Sequence, residues 1–403
     1  MRCFICTDTH LFRFLNLGNQ PPSDAFLRAN DLDKAETTYP LALYFCETCA
    51  LVQLGFVVPS AVLFTDYVYT TGENNSLRKN FKELIENLVS RFSLTRDDCV
   101  VDIGSNDGTL LKNYTPYGIK TLGVDPSSTG VLAEKQGIRT IRAFFTRETA
   151  EKITKEYGHA KVVTATNVFA HISGLDSFME GLQILLSKNG VFVSESGYLL
   201  DMIETLGYDA VYHEHLRYYS LRPLQFLFKK YGLEVFDVER IPSHNGSLRV
   251  YAAKRGAYAI EKSVDELLML EKKKGLYTQK TFTDFAVRVT EHKERLKRAV
   301  AKLRSSGKRI VGLGAPAKGN TLLNYCGFNS EQIEYLAEKS DLKIGLYAPG
   351  SRIPVISEER MLHTQPDYAL VFSWNLSTEL ISKLRAKGYK GRFIIPFPQP
   401  RII

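Results

Sequence analysis

The chain has 403 residues, of which 44% are apolar and 24% charged. That balance excludes a disordered or fibrous polypeptide, no run approaches the roughly 18 apolar residues of a membrane-spanning helix, and the length implies two or three domains. The net charge of +8 is spread along the chain, and its densest runs, Lys272-Lys273-Lys274 and the basic positions from Arg288 to Arg309, read as solvated helix faces rather than a nucleic-acid surface. Cys3 and Cys6 stand where a signal peptide would need a basic start and an apolar core, so a cytoplasmic protein is expected, with its six cysteines serving as thiols or metal ligands rather than disulfides.

Cys3-Phe4-Ile5-Cys6 and Cys46-Glu47-Thr48-Cys49 are two Cys-x-x-Cys knuckles. Each places two sulfurs on one ion, and together they complete a tetrahedron, so Cys3, Cys6, Cys46 and Cys49 are expected to hold a structural zinc with no open position for chemistry. Tyr39 to Phe45 reads as the strand that delivers the second knuckle. The stretch from Asn16 to Asp24 is turn-rich and poor in Lys and Arg, which favours a lid or docking module over a nucleic-acid zinc ribbon. Phe64 to Gly72 offers aromatics with a polar tail, suited to lining a pocket or to packing a lid. A helix is expected from about Ser76 to Phe92, with Leu77, Phe81, Leu84, Ile85 and Leu88 on one face.

Residues 99–197 alternate strand and helix. Val100-Val101-Asp102-Ile103-Gly104-Ser105-Asn106-Asp107-Gly108 is a strand running into a glycine turn, with a helix expected from Thr109. Its Asp-x-Gly-x-x-x-Gly spacing is the form used by S-adenosylmethionine (SAM) methyltransferases rather than that of dinucleotide binders. The second strand, Thr121 to Val124, ends on Asp125, placed to accept bonds from both hydroxyls of a ribose. A third short strand, Thr140 to Ala143, leads to Phe144, and a fourth, Lys161 to Thr166, ends on Asn167. Asp102, Gly104, Ser105, Asn106, Gly108, Asp125, Phe144 and Asn167 are therefore the candidate cofactor-binding residues, and His171, just past the fourth strand, is a candidate active-site group. A fifth strand runs from Gly190 to Glu195.

Tyr212-His213-Glu214-His215-Leu216-Arg217-Tyr218-Tyr219-Ser220 is the richest polar cluster in the chain. A His-x-His pair shares a metal only in a strand, and no third ligand lies near it in sequence. An acid–base site is the more economical reading, with a histidine that titrates near neutrality, a carboxylate to orient it and a tyrosine to donate to an oxyanion. Further on, His244, Asn245, Ser247 and Arg249 lie on a loop entering a strand and suit an anionic or polyhydroxyl substrate. A long helical pattern from Glu261 to Ser305 breaks near Gly275. A second strand–glycine turn–helix follows in Arg309 to Asn320, where Lys318 at the helix start suits a phosphate. Glu338 at the tip of the next strand, Ile333 to Ala337, mimics a ribose acid, but the turn lacks the Gly-x-Gly-x-x-Gly of a NAD site. Strands near Tyr368 to Phe372 and Arg392 to Ile395 complete a small α/β sheet.

The order of these motifs resembles the sugar C-3 methyltransferase family, which acts on nucleotide-linked 4-keto-6-deoxyhexoses. The resemblance rests on the four-cysteine knuckles, the glycine turn, Asn167-Val168-Phe169-Ala170-His171, the Tyr212 to Ser220 block, Gly246-Ser247-Leu248-Arg249 and Gly314-Ala315-Pro316-Ala317-Lys318-Gly319-Asn320. It implies an α/β chain in three parts: a zinc-binding N-terminal domain (1–70), a central class I methyltransferase Rossmann-like domain (71–255) and a C-terminal Rossmann-like domain (256–403). The sugar nucleotide would lie between the last two, and the protein would be a monomer or weak oligomer binding neither membrane nor nucleic acid. Tyr212, Glu214 and His215, with His171, would be catalytic, His215 removing the C3 proton. His244, Asn245, Ser247, Arg249, Lys318, Asn320 and Arg352 would hold the substrate. The sequence departs from the family pattern at Thr70 to Glu73, at Asn245, at Glu338 and Ser340, and at Arg352. O- or N-methylation of a similar sugar, and a zinc-ribbon nucleic-acid protein with regulatory Rossmann domains, are the rival readings.

Overall fold

A computed structural model describes residues 1–59, 62–63, 72 and 75–403, without the side chains of Asn75 and His244. The expectations for Phe64 to Thr71 and for Glu73 lie outside the described residues. The N-terminal strands β1 (Leu11–Gln20), β2 (Tyr39–Cys46) and β3 (Val52–Leu54) form an antiparallel sheet. Alternation buries Leu41, Leu43 and Phe45 on one face of β2. β1 continues through Asn16 to Gln20, where turn residues predominate. Its pairing with β2 shifts between Arg13 and Leu15 and again between Asn16 and Asn19. The Gly18 N–H, at φ +82°, bonds the Asn16 side chain at 3.0 Å, so the extra residues are absorbed as bulges while Leu15 and Leu17 stay buried.

The central sheet takes β4 (Cys99–Ile103), β5 (Lys120–Val124), β6 (Thr140–Ile141), β7 (Ala160–Thr166) and β8 (Leu186–Gly197) in parallel. The chain then leaves this sheet: β9 (Arg217–Tyr218) pairs antiparallel with β3 of the N-terminal sheet. It returns with β10 (Leu233–Ile241) and β11 (Ser247–Lys254), and the order becomes β6-β5-β4-β7-β8-β11-β10, with β11 antiparallel to β8. All five residues of β4 are buried, as a parallel strand covered on both faces requires. The strand order reverses at β4, so ligands are expected beyond its carboxyl end.

The helix expected from Thr109 is instead a turn followed by a 3-10 helix, Leu111–Tyr117. The Asn113 amide donates to the carbonyls of Thr109 and Leu110, and Pro116 removes a ladder donor, so the α-helical pattern is not completed. The long helical pattern divides as expected into Lys262–Lys273 and Gln279–Ser305 around Gly275 at φ +74°. The second of these covers the N-terminal sheet, its Phe282 ring 4.9 and 4.6 Å from those of Phe14 and Phe45. The C-terminal sheet holds β12 (Ile310–Leu313), β13 (Leu336–Glu338), β14 (Val355–Ser357), β15 (Tyr368–Val371), β16 (Arg392–Ile395) and β17 (Arg401–Ile402), ordered β14-β13-β12-β15-β16-β17. β14 and β17, too short to show a period, were not expected.

Arg249 does not occupy the place expected of a substrate-binding residue. It stands in β11 at 6% exposure, donating to Glu195 at 3.1 and 3.2 Å, to Glu239 at 2.9 Å and to Asn80 at 3.0 Å. Strand register puts Arg249 opposite Glu195, so the guanidinium is consumed inside the sheet. Arg249→Met leaves the fully buried Glu195 carboxylate without its cation. It is expected to lower stability by about 3–5 kcal/mol in urea unfolding; a raised KM with parent-like stability would restore the substrate-binding role.

Candidate active site

The N-terminal turn and the tight turn after β2 bring the four cysteines together, all ligand atoms within 4.8 Å of one another. Cys3 and Cys49 sulfurs are 3.5 Å apart, and those of Cys6 and Cys46 are 3.4 Å apart. A tetrahedral zinc with about 2.3 Å bonds needs sulfur separations of about 3.8 Å, so the set fits the ion with a slight opening. The hydrogen bond from Cys49 pulls the Cys3 thiol down to about 5, while burial pushes Cys6 up to about 12. Thiols this close cannot all ionise without a cation, and a zinc ion supplies it. All four positions are protein ligands, so the zinc is structural.

At the carboxyl end of β4, Gly104 takes φ +72°, and a Cβ there would lie 2.3 Å from Val168. Only glycine fits both the conformation and the close approach. The Asn106 N–H donates to one Asp125 oxygen at 2.8 Å, and the Ser127 N–H to the other at 2.8 Å. Asp125 thus ties the turn to the tip of β5; its Oδ1 also accepts the Ser127 hydroxyl at 2.5 Å, so it is Oδ2 that retains a further lone pair for a ribose hydroxyl. Asp102 accepts the Thr164 hydroxyl at 2.5 Å, and burial pushes its carboxyl up to about 7. Ser105, Asn106, Phe144 and Asn167 line the same cavity. Gly108 does not: a Cβ on it would press on Ala133 and Ile138 at 3.1 Å, which makes it a packing glycine behind the turn.

The Tyr212 to Ser220 block is mostly a turn, so its two histidines diverge. The His213 Nε2 lies 3.2 Å from the Tyr39 carbonyl, facing the N-terminal sheet. His215 faces the cavity, its ring 4.0 Å from that of Tyr212 and 4.9 Å from that of His171. The His215 Nδ1 is 2.8 Å from the Ala210 carbonyl. A carbonyl only accepts, so Nδ1 carries the proton and the lone pair of the neutral ring is on Nε2. Burial pushes His171 down to about 4, so it is neutral at neutral pH. Burial, and then the Asp24 carboxylate, push Glu214 up to about 8 against the pull of Lys343. The acid expected to orient His215 therefore answers to Asp24 and Lys343 instead.

Across the cavity, the turn after β12 repeats the device at Asp125. The Ala315 N–H donates to one Glu338 oxygen at 2.7 Å, and the Ser340 N–H to the other at 3.2 Å. Lys318, at the start of the helix Ala317–Cys326, lines the cavity, as does Asn245, whose amide donates to Thr205 at 3.0 Å. Three other expected substrate residues do not line it. The Ser247 hydroxyl donates to the Ser243 carbonyl at 2.9 Å, and the Asn320 amide to the Ser23 carbonyl at 2.6 Å. Arg352 pairs with Glu36 at 3.3 Å and donates to the Lys34 carbonyl at 2.9 Å, tying the C-terminal sheet to the N-terminal segment. The His244 side chain lies outside the described residues. Asp24, Asp209 and Lys343 line the cavity without having been singled out, because Asp24 and Lys343 come from turns and Asp209 from a buried one-turn helix, Tyr208–Ala210, none of which carries a motif.

The cavity, of about 1250 Å³, therefore joins the β4 glycine turn, the His171 and His215 pair, and the β12 turn with Lys318. A sheet of this order, with its glycine turn and Asp125 at the switch point and a closed four-cysteine site beside it, defines a SAM-dependent methyltransferase with a structural zinc. Residues 3–64 match the family described as "Putative zinc binding domain", residues 77–238 the "Methyltransferase domain" family and residues 242–398 the "C-methyltransferase C-terminal domain" family. The C-methyltransferase NovU of Streptomyces niveus is 34% identical over 404 residues, spanning 100% of this chain and 96% of NovU. Among solved structures, a SAM-dependent methyltransferase from Clostridium acetobutylicum is 14% identical with a TM-score of 0.35, over 44% of this chain and 92% of that one. Another from Anabaena variabilis is 17% identical with a TM-score of 0.34, over 43% and 84%. The chain belongs to the C-methyltransferase family to which NovU belongs. None of its helices among the described residues is long and apolar enough to cross a membrane.

Elemental analysis is expected to find one zinc per chain. Cys46→Ser should lose the ion and unfold at lower temperature; a stable, metal-free parent protein would contradict the structural role.

Proposed function

We propose that the enzyme methylates C3 of a nucleotide-linked 4-keto-6-deoxyhexose. The observation that carries this reading is the pairing of His215 with Tyr212 and His171 in one cavity with the β4 and β12 turns. Transfer to carbon needs a base, because a carbon nucleophile must first be made. The C4 ketone acidifies the neighbouring C3–H, and the His215 Nε2, basic because Nδ1 is committed to the Ala210 carbonyl, takes that proton. The developing enolate oxygen needs neutral donors. Glu214, held protonated at neutral pH by burial and by Asp24, and the Tyr212 hydroxyl are suited to that role. Asp102, Asn106 and Asp125 would hold the cofactor, and when bound SAM supplies an electrophilic methyl group on its sulfonium. Lys318 and the N-terminus of its helix suit the diphosphate.

Incubation with thymidine-diphosphate 4-keto-6-deoxyglucose in deuterated water tests this reading. The C3 proton should exchange with the parent enzyme, and His215→Ala should abolish exchange and lower kcat about 10²–10⁴-fold. Methyl transfer to a hydroxyl or amine without C3 exchange would establish O- or N-methylation instead.

The raised Glu214 value sets a pH dependence. Below about 8 the carboxyl keeps its proton and can donate; above it the proton is lost, and a buried carboxylate then faces the enolate. The parent kcat is therefore expected to fall as pH rises through about 8. Glu214→Gln, which keeps a neutral donor at every pH, should lose that limb; an unchanged profile would remove Glu214 from the donor role.

A further inference from the structure

Arg217 is buried at 3% exposure, yet no carboxylate lies within salt-bridge distance of it among the described residues. Arg249, also buried, has two carboxylates. A guanidinium does not shed its proton, so a buried one needs an anion or a network of acceptors. One Arg217 donor reaches the Ile172 carbonyl at 2.5 Å, while its Nε is buried without a hydrogen-bond partner. Burial works against its charge; of the groups that favour it, Tyr219 is a phenol whose pKa burial pushes up to about 12, so it brings no negative charge, which leaves Cys3 and Asp176. Asp176 is mostly exposed and already paired with Lys230 at 3.0 Å. Cys3 belongs to the zinc set.

The surroundings point the same way. The guanidinium covers the ring of Phe4, 5.1 Å from its centroid, and Phe4 stands between the ligands Cys3 and Cys6. Arg217 pairs through β9 with Gln53 of β3, and the Gln53 side chain accepts the Phe4 N–H at 2.8 Å. Four thiolates around one dication leave the site net negative. On its other side, Ile172 directly follows His171.

We propose that Arg217 is the countercharge of the zinc tetrathiolate and, through the Ile172 carbonyl, the brace that sets the His171 loop against His215. It is a positioning residue, and it makes the zinc unit part of the active-site geometry. The brace half rests on the proposed role of His171 and His215; the countercharge half does not.

The test uses the full-length zinc-loaded enzyme with Arg217→Gln and Arg217→Lys. Zinc release is followed with the chelator pyridylazoresorcinol, and kcat and KM are measured for SAM and the thymidine-diphosphate ketosugar. Arg217→Gln should release zinc roughly 10–100-fold faster than the parent, the range for removing a partner of metal ligands. Arg217→Lys keeps the charge but not the planar fork, so it should hold zinc nearly as the parent does. Its kcat should still fall about tenfold with the KM for SAM unchanged. Parent-like zinc release by Arg217→Gln overturns the countercharge, and parent-like kcat in Arg217→Lys overturns the brace. Should Arg217→Gln fail to fold, the lysine variant decides both halves, because rapid zinc loss from it contradicts a role for charge. If His215→Ala still exchanges C3 while zinc release follows the expected order, the active-site reading fails and the countercharge stands.

Discussion

Two residues, Arg217 and Tyr218, leave the central sheet's run of the chain to become the fourth strand of the N-terminal sheet. That pairing anchors one end of a block whose other end must present His215 and Tyr212 to a cavity built on different strands. The block is too short to move one without the other. The zinc knuckles fix the N-terminal sheet, that sheet fixes β9, and β9 fixes where the His215 ring stands relative to the β4 turn. His213 completes the joint by turning toward the Tyr39 carbonyl.

Buried charge is handled differently in the framework and in the site. Two framework groups are fully bonded: Arg249 with Glu195 and Glu239, and Glu271 with the hydroxyls of Tyr198 and Tyr277 and the N–H of Leu221. In the cavity it is left incompletely matched. Glu214 faces Asp24 as well as Lys343, and burial holds His171 below the usual imidazole range. Such groups keep their neutral forms near neutral pH.

The two glycine turns are versions of one device, an acid at the next strand tip holding the turn's N–H groups. At Asp125 the acid follows a short strand and the turn keeps close to the backbone. At Glu338 the side chain is longer by one methylene and the helix start carries Lys318, which suits a more highly charged ligand. The cavity between them thereby has two different ends.

Local chemistry was enough to read much of this from the residues alone. The thiol spacing of Cys3, Cys6, Cys46 and Cys49, the turn at Gly104 with Asp125 one strand later, the break at Gly275 and the second turn before Lys318 are all patterns within a few residues. β1 was obscured because bulges hide its period, and the helix after Thr109 failed on the competing bonds of Asn113. What only the tertiary structure decided was where side chains point once distant strands meet. Register set Arg249 against Glu195 and kept it out of the cavity lining, and packing drew Asn320 and Arg352 to the N-terminal segment. It also brought Asp24 and Lys343 to Glu214, across more than a hundred residues on either side. The sequence carries the donors and acceptors, but which ones meet depends on chain segments that no local pattern links.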